Sequence, residues 1–361
     1  MRARRTAGAL LACAIALGSR GAARPPAQAP SAFGKQIAAL SERGGYFDTD
    51  NLISNESSYL QVLPDLRRRN VRGGAYVGVG PDQNFTYIGE TRPTIAFIVD
   101  IRRDNLLLHL LFKALFHVSR TRVEYLAQLF GRPIPADVAG WRAVRVDRLA
   151  QYIDEAQPAA IDRLRARLDD AIGRFGVPLS RDDYATIDRF HRRFIDSGLS
   201  LRFQSTGRPP QSYYPTYRDL LVDTDGAGRQ AHFLASDDAF EFVRSLEERD
   251  LVVPVVGDLG GQSALIAIGR LLATRRERLT AFYTSNVEFY LDREGTFARF
   301  TSNLSQIPHS DDAVVIRAIF RGYAYGAART GDSSVSRLQR IDDLLAGVAA
   351  GRIRGYWDLL R

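Results

Sequence analysis

The sequence contains almost no cysteine, and this absence excludes several kinds of chemistry. Its 361 residues include one cysteine, Cys13, close to the N-terminus. A fold that begins beyond this residue has no disulfide, no thiolate nucleophile and no cysteine-based metal site. The five histidines are scattered and form neither a pair at metal-ligand spacing nor a His-Glu-x-x-His motif. We therefore expect no metal site.

Lysine is also scarce, and acidic and basic side chains nearly balance over most of the chain. Lys35 and Lys113 are the only lysines. The formal net charge is +8, but residues 1–29 hold five arginines and no acid, which leaves 44 basic against 41 acidic side chains. A nearly balanced chain binds polyanions weakly, so we expect no nucleic-acid partner.

The N-terminus has the three regions of a secretory signal. A basic head precedes an apolar run over 7–17, and small residues and prolines follow. That run is too short to span a bilayer, and no later segment is long and apolar enough to be transmembrane. The pattern predicts a signal peptide over 1–29 and an exported protein, periplasmic or secreted. A leader that stays in place, a twin-arginine signal at Arg4-Arg5 and a lipoprotein anchored through Cys13 are less favoured alternatives.

Continuous apolar runs, bounded by glycine or polar residues, predict the strands of a buried parallel sheet. They cover residues 74–80, 94–100, 250–258, 279–286 and 312–320. The segment after the first run is predicted to be a loop with at most a short helix. Strands that alternate with helical stretches indicate an α/β fold with an open, mainly parallel sheet.

The organisation along the chain follows from where the strands stop. Helical patterns fill 105–249, which we interpret as an insertion between the second and third strands. An N-terminal segment and the first βαβ unit cover 30–104, and the rest of the α/β domain covers 250–361. A separate C-terminal domain that begins near residue 140 is the alternative.

In a parallel α/β sheet, ligands bind beyond the carboxyl ends of the strands. Each of the first four predicted strands ends in polar or glycine-rich residues, which are the candidate cofactor-binding residues: Gly78, Gly80 and Pro81, then Asp100 and Arg102, then Asp258 and Leu259, then Ser285 and Asn286.

The first two of these strand ends suit a nucleoside better than a pyrophosphate. Gly78 and Gly80 allow a close backbone approach, and Asp100 stands where a carboxylate can accept ribose hydroxyls. Asp82 would repel a pyrophosphate but would favour a cation, and Asn84 replaces the third glycine of a dinucleotide loop. The alternative is that the glycines only form a tight turn and Asp100 only caps a helix.

This arrangement resembles the S-adenosylmethionine-dependent methyltransferase superfamily over 70–104 and 250–361. The resemblance implies a Rossmann-like fold of the methyltransferase type and S-adenosylmethionine as cofactor. It also implies that Asp100 binds the ribose, that Asp258 contacts the adenine amine, and that Tyr283 to Asn286 face the reacting methyl. The amino-acid sequence at the strand ends is also similar to that of a group of bacterial exported proteins with no assigned activity.

The sequence departs from the methyltransferase pattern at three places. Tyr76 stands where an acid is usual, Asp82 replaces the third glycine of the loop, and no terminal antiparallel hairpin is evident after Phe320. These departures bear on catalysis more than on fold.

Candidate contacts for a methyl acceptor come from two polar or aromatic stretches and from the fourth strand. They are Asn55 and Glu56, the cluster Tyr213, Tyr214 and Tyr217, and Tyr283. The alternatives are a packed Pro/Tyr loop for the three clustered tyrosines and a helix-capping role for Glu56.

Two further patterns are assigned structural roles. Asn105, His109, Lys113 and His117 recur every four residues on an apolar helix, which favours a solvated helix face over a cleft lining. Ser263 follows a strand as a nucleophile elbow would, but Leu265 stands where the elbow needs glycine. We therefore expect Ser263 to be a helix N-cap rather than the nucleophile of a hydrolase.

Two functions remain open at this point. The first is a methyltransferase-like protein that binds S-adenosylmethionine and transfers a methyl group to a small molecule or lipid. The second is a non-catalytic exported binding protein that retains a nucleoside-type pocket.

Overall fold

The computed structural model describes residues 30–209, 211–320 and 332–360, and the signal-peptide prediction and Cys13 lie outside these residues. The described chain forms a mixed sheet of six strands, five parallel and one antiparallel, in the order β3-β2-β1-β4-β5-β6. The strands are β1 Ala75–Gly78, β2 Ile95–Asp100, β3 Val252–Val256, β4 Leu279–Ser285, β5 His309–Phe320 and β6 Ser334–Arg340.

Helices cover the sheet and account for most of the remaining described chain. They are α1 Ala32–Leu40, α2 Leu63–Arg68, α3 Gln83–Thr91, α4 Arg103–Val118, α5 Arg122–Leu129, α6 Val146–Glu155, α7 Asp162–Arg174, α8 Arg181–Ser197, α9 Tyr217–Val222, α10 Asp237–Glu248, α11 Ala264–Arg275, α12 Val287–Arg293, α13 Phe297–Ser305 and α14 Ile341–Ala349. The protein is therefore an α/β protein, as predicted. No helix among the described residues has the length and apolar character needed to cross a membrane.

The core lies on the central strands. Every residue of β1 and β3 is buried, because parallel strands covered on both faces carry continuous apolar side chains. The seven helices α4 to α10 connect β2 to β3, and α4 packs against α7, α8 and α10. An irregular segment, 41–62, crosses the carboxyl ends of β2 and β3. Its Glu42 amide donates to the Val256 carbonyl, and its Gly45 amide donates to the Ile101 carbonyl.

Two elements differ from the sequence expectation. The loop predicted after β1 contains the nine-residue helix α3, in which every residue except Glu90 is buried. Its threonines, asparagine and glycine have poor helix propensity, so packing rather than local preference forms this helix. An antiparallel strand, β6, follows Phe320 where the sequence showed none. It carries few apolar residues, and its inner Ser334 and Ser336 bind the hydroxyl of Ser58 instead.

The polar stripe on α4 was expected to face solvent, and this expectation was wrong. Asn105, His109 and Lys113 are buried, and only His117 is exposed. Helices packed on α4 cover the stripe, and the Lys113 ammonium pairs with Asp250 at 2.9 Å. The stripe is therefore part of the interior and needs partners there.

Candidate site at the carboxyl ends of the strands

The loop after β1 is held from below by one amide side chain. Asn84 Nδ2 donates to the carbonyls of Val79 (2.9 Å) and Pro81 (2.7 Å), and its Oδ1 accepts from the Tyr76 hydroxyl at 2.8 Å. Gly80 has a φ of 81°, a backbone conformation that only glycine adopts without strain. The Asn84 amide group therefore binds backbone carbonyls of the loop. Tyr76 and Asn84, which the sequence marked as departures, form its support.

Replacing Gly78 with Ala is expected to lower the free energy of unfolding by about 1–3 kcal/mol. An added Cβ would lie 1.9 Å from Asn84 Oδ1 and 2.6 Å from the Tyr76 hydroxyl, and both side chains are buried and hydrogen-bonded. Urea unfolding measures the change. Gly173→Ala is the matched control, because a Cβ on Gly173 in α7 meets nothing closer than 3.8 Å. Equal stability of the two variants would contradict the expectation.

At the end of β2, the predicted ribose carboxylate is already engaged by its predicted neighbour. The Arg102 guanidinium donates to both oxygens of Asp100 at 3.2 Å, and the Arg102 amide donates to Asp100 Oδ1 at 2.9 Å. Arg102 is buried and also donates to the carbonyl of Thr49 at 3.0 Å. The pair fixes segment 41–62 to the strand end. A carboxylate has about four acceptor directions, so Asp100 can still accept from a ligand.

The end of β3 is occupied by an acidic side chain that the sequence did not single out. Glu42 accepts from the amides of Asp258 (2.9 Å) and Ser263 (3.0 Å) and from the Ser263 hydroxyl at 2.7 Å. Leu259 is buried, and its carbonyl accepts from Asn303. Ser263 does precede α11 as expected. Its hydroxyl makes no capping bond within the helix, however, and Glu42 satisfies the helix start instead.

The end of β4 carries the most unusual backbone of the four. Ser285 has a φ of 54°, which costs an L-residue other than glycine about 1–2 kcal/mol. Its hydroxyl donates to Glu56 Oε1 and lies 3.3 Å from Asn286 Oδ1. Tyr283 is fully buried, and its hydroxyl accepts from Gln83 Nε2 at 3.2 Å. Glu56 thus binds Ser285 at this strand end, and the Tyr283 hydroxyl lowers the pKa of the Glu56 carboxyl.

Four buried side chains around the β1 loop have polar atoms without a partner among the described residues, and we call them the Gly80 cluster: Glu56, Gln83, Asn105 and His109. Of ten such atoms among the described residues, five belong to this cluster. Gln83 and His109 both lie beside Gly80: a Cβ on Gly80 would be 3.2 Å from Gln83 Nε2, and His109 Nε2 donates to the Gly80 carbonyl at 2.9 Å. Gln83 Nε2 also donates to the Tyr283 hydroxyl, and Asn105 lies one turn before His109 on α4. Buried polar groups without partners are costly, so their concentration here makes the cluster the candidate functional site.

Burial also sets the charges in and beside this cluster. It raises the pKa of the Glu56 carboxyl to about 7, although hydrogen bonds from Ser285 and Tyr283 lower it. It likewise raises the pKa of Asp82 to about 7, against a hydrogen bond from Tyr217. Burial lowers the pKa of His109 to about 4, so its ring is neutral near pH 7. Because Nε2 donates to Gly80, Nδ1 is left as an acceptor.

The predicted acceptor contacts divide into two groups. Tyr213 and Tyr214 line a cleft of about 900 Å³, together with Ser57 and Arg202. The rings of Tyr213 and Tyr214 pack with centroids 4.4 Å apart, and Asn55 is close enough to lower the pKa of Tyr214, so these three predicted residues lie near one another. Tyr217 does not join them, because it is buried and donates to Asp82 Oδ2 at 2.9 Å. Glu56 lies between Asn55 and Ser57 in the chain, and its carboxyl is turned inward to the Gly80 cluster.

Several site residues were missed by sequence reasoning, for different reasons. Gln83 and Glu42 are ordinary polar residues in irregular or unrecognised elements, and nothing in their local sequence marks them. Asn105 and His109 were noticed as a stripe and assigned to solvent. The available signal was their spacing on an apolar helix that directly follows Asp100 and therefore begins at the ligand-binding edge of the sheet.

Fold and site together describe an α/β protein with a polar, partly unsatisfied cluster beyond the carboxyl ends of its central strands. The chain belongs to the family described as Domain of unknown function (DUF7790), whose model matches residues 51–133 and 205–349. The Gly80 cluster lies inside the matched ranges, whereas 134–204, with helices α6, α7 and α8, lies outside them. No curated protein matches the chain.

Proposed function

We propose that this protein binds S-adenosylmethionine at the Gly80 cluster and is a methyltransferase-like protein. The observation that carries the proposal is the concentration of unpartnered buried polar atoms beside the glycine loop after β1. The sheet supports it, because its order β3-β2-β1-β4-β5 is that of doubly wound nucleotide-binding folds. The antiparallel pairing of β6 with β5 also supports it, because the resemblance implies a terminal antiparallel hairpin.

The residues present fit this cofactor. The backbone of Gly78, Gly80 and Pro81 would lie against it, and Asp100, oriented by Arg102, would accept ribose hydroxyls. The acid Asp82 beside the loop tolerates a ligand without phosphates. When bound, the cofactor would supply a methyl group on a sulfonium, which is a good leaving group.

The same proposal assigns the remaining predicted residues. Asp258 and Leu259 would border the adenine, although Glu42 now fills the turn beside them. Tyr283, Ser285 and Asn286 would face the reacting methyl. The acceptor, a small molecule or lipid, would enter through the cleft formed by Tyr213 and Tyr214. Asn55 and Glu56 precede Ser57 of the cleft lining in the chain, and Glu56 would approach the acceptor from the Gly80 cluster.

A non-catalytic binding protein with the same pocket is the second candidate. Tyr76 stands where the methyltransferase pattern has an acid, and its hydroxyl is used entirely to support Asn84. A protein exported by a signal peptide would also be separated from cytoplasmic S-adenosylmethionine. The observed role of Tyr76 and the predicted export both favour binding without turnover.

Calorimetric titration of the full chain with S-adenosylmethionine and S-adenosylhomocysteine tests the proposal. We expect binding of at least one of them and about a tenfold or greater loss of affinity in Asp100→Ala, which removes the ribose acceptor. Asp183→Ala is the matched control, since Asp183 pairs with Arg103 at 2.9 Å outside the site. Absence of heat with both ligands would reject the proposal. Binding with no transfer to any offered acceptor would favour the second candidate.

A further inference from the structure

Most buried acids in the described chain have a cationic partner. Asp225 pairs with Arg67 at 2.8 Å, Glu247 with Lys113 at 3.6 Å, and Glu288 with Arg317 at 2.7 Å. Glu56 and Asp82 are the two buried acids that form no such pair among the described residues, and both adjoin the β1 loop. A buried carboxylate without a cation is strongly disfavoured, so these two acids are either neutral or await a positive charge.

The two acids differ in how their oxygens are satisfied. Asp82 Oδ2 accepts from the buried hydroxyl of Tyr217, which fixes the carboxyl in an aromatic environment. Glu56 Oε1 accepts from Ser285, but Glu56 Oε2 has no partner among the described atoms. The side chain of Glu56 is completely buried. Glu56 is therefore the acid with an oxygen to offer.

Among the residues that the structure describes, none of the groups that interact with Glu56 carries a positive charge. The groups that interact with it are the tyrosines of three elements, Tyr76 on β1, Tyr87 on α3 and Tyr283 on β4, together with Ser285. The pKa values of these tyrosines are raised by burial, so all three hydroxyls are neutral near pH 7. No lysine or arginine among the described residues contributes to the pKa of Glu56.

The other unpartnered atoms of the Gly80 cluster are mostly acceptors. Gln83 Oε1, Asn105 Oδ1 and His109 Nδ1 accept hydrogen bonds, and only Asn105 Nδ2 donates. A guest that satisfies this set presents donors and, opposite Glu56, a positive charge. An anion would be disfavoured, because it would face the Glu56 carboxyl and the lone pairs of the three acceptor atoms.

We propose that Glu56 is the counter-ion of a cation site, which makes the Gly80 cluster select a positively charged organic ligand. As the ligand binds, the Oε2–H bond of Glu56 breaks, the proton passes to solvent, and the carboxylate pairs with the cation. No other bond changes. The inference rests on the proposed function for its ligand, because the sulfonium of S-adenosylmethionine is positively charged whereas the thioether of S-adenosylhomocysteine is not.

Calorimetry of the full chain at about pH 6 in two buffers of different ionisation enthalpy tests this inference, since the difference in heat counts the protons released. We expect S-adenosylmethionine to bind about tenfold or more tightly than S-adenosylhomocysteine and to release close to one proton. Glu56→Gln keeps the size and the bond from Ser285. It should bind both ligands with affinities within about twofold of each other and release no proton.

Asp82→Asn is the matched control, because it removes the other buried, unpaired acid. It is expected to behave like the unmodified protein, and loss of the ligand preference in this variant with retention in Glu56→Gln would overturn the assignment. Equal affinities of the unmodified protein for both ligands, without proton release, would overturn the cation site and leave the proposed function standing.

If neither nucleoside binds, the proposed function is rejected. A simpler probe then tests the cation site at Glu56 by itself. Trimethylsulfonium chloride carries the charge without the nucleoside, and sodium chloride at equal concentration is its reference. At about pH 8 we expect trimethylsulfonium to raise the midpoint of thermal unfolding of the unmodified protein and of Asp82→Asn but not of Glu56→Gln. Equal midpoints in both salts would reject the cation site as well.

Discussion

Replacing Arg317 with Leu is expected to lower the free energy of unfolding by about 3–5 kcal/mol. Arg317 on β5 is buried and donates to both carboxylate oxygens of Glu288 on α12, at 2.7 and 3.0 Å, and to Gln339 on β6 at 2.7 Å. Loss of the guanidinium would leave the Glu288 carboxylate buried without a cation. Chemical denaturation monitored by circular dichroism measures the change.

A double variant distinguishes the cost of an unpaired charge from the value of the pair. Arg317→Leu combined with Glu288→Leu removes both charges and should recover much of the lost stability, because apolar residues often replace a buried pair at little cost. Arg145→Leu is the surface control and should cost about 1 kcal/mol or less, since Arg145 and its partner Asp147 are largely exposed. A loss in Arg317→Leu no larger than in Arg145→Leu would contradict the expectation.

The same pair explains how β4 presents its end to the site. Ser285 pairs in register with Arg317, and α12 begins two residues later at Val287. The ion pair therefore fixes the strand and the helix on either side of the left-handed Ser285. We expect Arg317→Leu to weaken ligand binding at the Gly80 cluster as well as stability, which the calorimetric titration would detect.

The strands with continuous apolar sequence could be predicted, because burial on both faces leaves a signal that needs no partner to interpret. Residues 94–100 and 250–258 enclose β2 and β3 as observed. The edge strand β6 could not be predicted in this way, because its buried Ser334 and Ser336 are held by hydrogen bonds to the Ser58 hydroxyl rather than by apolar contacts. The partner that stabilises Ser334 is 276 positions away in the sequence, so the local pattern does not reveal the strand.

The edge of the sheet that holds the candidate residues could be predicted, but the contacts of these residues could not. Gly80, Asp100 and Ser285 lie at the ends of three predicted strands. Because parallel strands bring their carboxyl ends together, the sequence predicted that these residues lie along one edge of the sheet. What each side chain binds depends on segment 41–62, which has no periodic pattern. Glu42 and Glu56 from this segment contact the ends of β3 and β4, and only the folded chain shows it.

Glu56→Gln is expected to change the dependence of stability on pH by about 3 kcal/mol. Burial raises the pKa of Glu56 from 4.5 to about 7 in the folded protein, and a tenfold change in proton affinity corresponds to about 1.4 kcal/mol. The folded state therefore binds the Glu56 proton more tightly than the unfolded state. The stability that this proton contributes is fully present below about pH 4.5 and is lost as the pH rises through about 7.

The glutamine side chain of the Glu56→Gln variant cannot titrate, so this variant should lose less stability than the unmodified protein between about pH 5 and about pH 8. Urea unfolding at both values measures the difference, and parallel curves would contradict it. Asp82→Asn should remove a loss of similar size, because the pKa of Asp82 is also raised to about 7. The stabilities of Glu56→Gln and Asp82→Asn should then differ when a cation is added at about pH 8. A cation that pairs with Glu56 offsets the cost of its ionisation, and only a protein that retains Glu56 can gain that stability.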